Sequence, residues 1–124
     1  MKISRLTLRI AVLFCVVSVA LLGFADDSPT VTVKGYVLDS ACAFTKDLVK
    51  PISKECAISC AKAGSPLVIL AEDGTIYWPI ADTTPSSGQN DKLLPFAAQK
   101  VTVTGKVYQR GGSKAIVIEK ISAQ

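Results

Sequence analysis

The chain has 124 residues and a formal net charge of +4, but that charge is unevenly placed. Setting aside Lys2, Arg5 and Arg9 at the front reduces the 14 basic residues to 11, against 10 acidic ones. The near-neutral remainder gives no electrostatic case for nucleic-acid binding, and the lack of any histidine excludes imidazole catalysis and imidazole metal ligation.

Residues 1–25 read as a secretory signal peptide. A basic front precedes the apolar run Ile10 to Phe24, and charge resumes at Asp26 and Asp27. Gly23 and Ala25 are the small residues expected before a cut after Ala25. The run is shorter than the roughly 20 residues of a membrane span, so no stable span is expected after processing. Cys15 sits inside the run behind bulky Leu13 and Phe14, which does not fit a lipid-modified cysteine. The expected product is residues 26–124, exported to the periplasm or secreted. Its size suits one domain with a single core.

Thr30 to Asp39 alternates, with Val31, Val33, Gly35 and Val37 on one side, and predicts a strand with a bulge or close approach at Gly35. Ser40 to Ile52 reads as a connection carrying Cys42, with a short helical turn around Thr45 to Val49 before Pro51. Ser53 to Gly64 predicts a helix. Ser53 caps it, Glu55 lies in the first turn, and Gly64 with Pro66 ends it. Cys56 and Cys60 are four apart and share one face of that helix.

Leu67 to Ala71 and Thr75 to Ile80 predict two strands joined at Asp73-Gly74, a hairpin signal. Ala81 to Asp91 is a long polar loop, and Lys92 to Ala98 is expected to form a brief helical turn or lid. Val101 to Gln109 and Lys114 to Ile121 predict a final hairpin through Gly111-Gly112, with Ile116 and Ile118 facing the core. The expected fold is mainly β with a short helix: a small five-stranded, OB-like, partly closed barrel.

The set of motifs resembles a group of small exported bacterial proteins with an OB-like barrel and no established activity. The resemblance rests on Cys-Ala-x-x-Cys-Ala-x-x-Gly at Cys56 to Gly64, on Glu72-Asp73-Gly74-Thr75-Ile76-Tyr77, and on the terminal Val-Thr-Val-Thr-Gly-Lys-Val hairpin. It covers residues 31–121 and implies a fold and a compartment, without a mechanism. Relatives in that group often carry a histidine just before the first helix cysteine, where this chain has Ser53, Lys54 and Glu55.

Cys42, Cys56 and Cys60 are the chemically reactive set. An oxidising compartment favours a structural disulfide between Cys42 and one helix cysteine, a bridge worth about 2–4 kcal/mol. Cys56 with Cys60 suits a bridge poorly at helical spacing. On this reading there is no cofactor, and the remaining helix cysteine stays reduced or is bound outside the chain. The alternatives are a three-thiolate copper or zinc site and a thiol–disulfide redox pair. With no complete catalytic set legible, the expected function is a non-enzymatic envelope binding or structural module stabilised by a disulfide. Its partner would be an envelope protein, a peptide or a glycan. Tyr36, Tyr77, Trp78 and Tyr108 are the expected binding surface.

Overall fold

The computed structural model describes residues 28–124; the expected signal peptide and its cut lie outside them. Five strands carry the fold: β1 (Thr30–Asp39), β2 (Leu67–Ala71), β3 (Ile76–Pro79), β4 (Lys100–Arg110) and β5 (Ser113–Ala123). Their order around the barrel is β1-β2-β3-β5-β4, and β4 returns to β1 to close it. All neighbours are antiparallel except β3 and β5. The result is the expected small, mainly β domain, consistent with an OB-like barrel.

Strand β1 makes closure possible by serving two partners. Thr30 to Tyr36 pair with β4, and Gly35 to Asp39 pair with β2, so both neighbours meet it at Gly35 and Tyr36. A β-carbon at Gly35 would collide with the Leu70 carbonyl. The residue predicted as a bulge or close approach is thus a close approach, where only glycine lets two strands crowd one point. The irregularity itself falls between Thr104 and Gly105 on β4.

Two apolar layers follow from the strand pattern. Val33, Val37, Leu67, Ile69, Val103 and Ile116 fill the barrel interior. The expected lid residues join them: Leu93 and Ala97 are fully buried, and Leu94 and Phe96 pack alongside. Leu93, Leu94 and Phe96 belong to α3 (Asn90–Leu93) and the 3-10 turn Leu94–Phe96, and Ala97 follows that turn; both elements lie between β3 and β4. The second layer lies outside the barrel, where Leu38, Ala43, Val68 and Leu70 pack together with Tyr36 and Trp78 against them. β2 therefore buries both faces, which explains its unbroken apolar sequence.

Two helices are inserted between β1 and β2: α1 (Ser40–Thr45) and α2 (Lys54–Lys62). The sequence reading placed the first helical turn at Thr45 to Val49, whereas the helix starts at Ser40. Asp39 caps it, its Oδ2 accepting the Cys42 amide at 2.9 Å. The helix therefore begins where the strand ends, with no connection between them. Among the described residues, no helix is long and apolar enough to cross a membrane.

Candidate metal centre

The same local device presents a cysteine on each inserted helix. In Asp39-Ser-Ala-Cys42 the carboxylate caps the Cys42 amide. In Ser53-Lys-Glu-Cys56 the Ser53 hydroxyl oxygen accepts the Cys56 amide at 3.0 Å. Each cysteine thus sits at the third position of a capped helix, where the cap fixes the first turn and the direction of the side chain. Cys60 follows one turn later on α2.

The far end of α2 is also fixed. The Ser65 amide donates to the Cys60 carbonyl at 3.0 Å and the Gly64 amide to the Ala61 carbonyl at 3.1 Å, with Gly64 at φ +102°. This is a Schellman ending, and its left-handed residue is the predicted glycine stop. Asn90 then ties the helix end to the barrel. Its Nδ2 donates to the carbonyls of Ser65 at 2.9 Å and Ala61 at 3.3 Å, while its Oδ1 accepts the Leu67 amide at 2.8 Å.

These constraints bring the sulfurs of Cys42, Cys56 and Cys60 together, all within 4.8 Å of one another. Metal–sulfur bonds of about 2.3 Å place the sulfurs of a trigonal or tetrahedral site roughly 3.8–4.0 Å apart. The observed spread is thus close to that of a ligand set. All three residues are partly buried, and no disulfide joins them.

This overturns the expectation of a disulfide-stabilised module without a cofactor. That reading treated Cys42 as a loop residue free to approach one helix cysteine. Instead α1 holds it facing both, so three sulfurs converge on one point and no single pair is singled out.

The surroundings of the thiols disfavour their ionised forms. Burial, a hydrogen bond with Asp39 and the negative charge of Asp39 push the Cys42 thiol from 9.0 up to about 11, with smaller effects from Cys56 and Cys60. Burial, Asp39 and Cys56 likewise raise Cys60. Asp39 is only 2% exposed, and a cavity of about 10 Å³ lies beside it, walled in part by Cys42, Ser53, Cys56 and Ile52.

Asp39 is the site residue that the sequence reading missed. Read alone, it is a strand-end carboxylate explained by capping. The signal was the match between Asp39-x-x-Cys42 and Ser53-x-x-Cys56, one cap charged and the other neutral.

Tyr36 and Trp78 pack on the outer apolar layer, whereas Tyr77 packs on the barrel interior. Trp78 stacks on Phe44 of α1 at 6.1 Å between ring centroids, and shares a shallow cleft with Tyr108, Arg110 and Lys114. The Lys114 ammonium lies 5.8 Å from the centre of the Tyr77 ring.

No family model, curated protein or solved structure matches this chain. Fold and site together define its class: a five-stranded, OB-like β barrel with a three-cysteine cluster on a helical insertion.

Proposed function

We propose that this protein is an exported metal-binding domain in which Cys42, Cys56 and Cys60 hold one thiophilic ion, zinc or copper(I). The convergence of three sulfurs within 4.8 Å carries the reading. Three thiolates suit trigonal copper(I) or three positions of a zinc site. Capping, the Schellman ending and the Asn90 clamp hold the ligand-bearing helices in place, so binding needs little rearrangement of the chain. Each thiol that ligates gives up its proton, so loading releases protons. The ion would also join α1 to α2, which are otherwise linked by the exposed segment that includes Val49 (83% exposed) and Ile52 (56% exposed).

Thiol–disulfide exchange is the weaker reading. A reactive thiol needs accessible thiolate at neutral pH, and the environment of Cys42 and Cys60 opposes it. Export with removal of residues 1–25 completes the proposal and rests on the basic front, the apolar run and the small residues before Asp26.

Metal analysis beside thiol titration tests the site. The expected result is one zinc or copper ion per chain, with three thiols becoming titratable after chelation. Cys56→Ser should cut affinity at least 100-fold, since a ligand loss exceeds the 10- to 100-fold cost of losing an outer-shell partner. Protein that takes up neither metal and shows a single titratable thiol in denaturant would overturn the reading. Intact mass of protein from the native host tests export, and retention of Met1 to Phe24 would refute it.

A further inference from the structure

We infer that Asp39 supplies the fourth, oxygen donor of this centre and makes it select a divalent zinc-type ion over copper(I). The inference rests on the three-thiolate reading and asks what a buried carboxylate is doing beside it. Asp39 is 2% exposed, and among the described residues no basic side chain forms an ion pair with it. An isolated buried carboxylate is costly unless a cation offsets its charge.

Capping alone does not call for that charge. Ser53 performs the same service for α2 with a neutral hydroxyl, at nearly the same distance from its cysteine amide. What distinguishes Asp39 is its depth: it is 2% exposed, whereas Ser53 is half-buried. Its Oδ2 accepts the Cys42 amide, and it borders the cavity of about 10 Å³ that Cys42, Ser53 and Cys56 also line. A space of that size admits one water or one ion and nothing larger.

Loading the three thiols turns Cys42 into a thiolate beside the Asp39 carboxylate, whose Oδ2 accepts its amide. A cation between them resolves the repulsion. The carboxylate lies outside the set of donors that are mutually within 4.8 Å, so ligation brings its other oxygen, Oδ1, towards the sulfurs while Oδ2 keeps the Cys42 amide. Three thiolates and one carboxylate carry four negative charges. A divalent ion leaves two of them, and a monovalent ion leaves three in a partly buried site. A mixed sulfur–oxygen tetrahedron also suits zinc, whereas copper(I) is satisfied by soft sulfur alone.

The test compares wild type with Asp39→Asn and Asp39→Ser, both good helix caps. Zinc affinity is measured by competition with a chromogenic chelator and copper(I) affinity by competition with a copper(I) chelator. Cobalt(II) spectra report the donor set. The expected result is a 10- to 100-fold or greater loss of zinc affinity in both variants, with copper(I) affinity unchanged or higher. The thiolate-to-cobalt charge-transfer bands should persist while the ligand-field bands shift. Equal zinc affinity and identical cobalt spectra in all three proteins would overturn the inference. So would variants that fail to fold even when metal-loaded, because the charge would then serve the fold. Wild type that binds copper(I) but neither zinc nor cobalt would also overturn it, while leaving the three-thiolate reading intact. Wild type that binds none of the three would overturn both.

Discussion

At the scale of single residues, the cluster is built against its own ionisation. Burial and Asp39 hold the Cys42 proton up to about pH 11 instead of 9.0, and Cys60 shifts in the same direction. The sign of the linked stability follows. A thiol whose pKa is raised on folding contributes stability that is fully present below 9.0 and is lost as pH rises towards 11. The metal-free protein should therefore lose thermal stability across that window. Metal-loaded protein should not, because its thiols are already deprotonated, and its metal affinity should rise with pH up to the same window. Thermal melts at pH 7 and pH 10, with chelator and with zinc, check this. Parallel pH dependence in the two forms would show that the cysteines do not carry the metal.

At the scale of elements, three short signals fix the cysteine helix: Ser53 at its start, Gly64 at its end and Asn90 across from it. Asn90 is the most consequential, since its one amide group serves two carbonyls and one amide of the chain leaving α2. Asn90→Ala should cost about 2 kcal/mol by leaving partly buried backbone groups unpaired, and should weaken metal binding although the residue is no ligand. Denaturant unfolding of the metal-free form beside a zinc titration measures both effects. Unchanged values would mean that the clamp does not position the site.

The strands and α2 were legible because their signals are local. Val31, Val33 and Val37 alternate, Asp73-Gly74 and Gly111-Gly112 mark reversals, and Ser53 and Gly64 bracket a helix. Helix α1 was misplaced because six residues are too few to show a helical apolar period, and Pro51 drew attention to the later part of the segment. Convergence of the thiols was not legible, because the distance from Cys42 to Cys56 depends on how α1 packs against Val68 and Leu70. No local pattern encodes that packing.

At the scale of the whole molecule, the barrel interior and the cysteine-bearing insertion belong largely to different packing layers. The interior layer is closed by β4 pairing to β1 and capped by Leu93, and of the inserted helices it receives only Ala61. The three sulfurs sit on the insertion between Asp39 and Leu67, which rests on the outer layer through Ala43. Chelation should therefore loosen the insertion without dissolving the barrel, in keeping with the graded stability of folded chains. Hydrogen exchange followed by mass spectrometry should show faster exchange over residues 40–65 on metal removal. The β4–β5 hairpin should stay protected, since it is an eleven-residue strand paired along its length with another. Loss of protection across β4 and β5 together with the insertion would mean that the ion holds the whole fold, placing the protein with small domains that are folded only when metal is bound. The opposite outcome, local loosening alone, fits a centre whose ion can be exchanged while its scaffold stands.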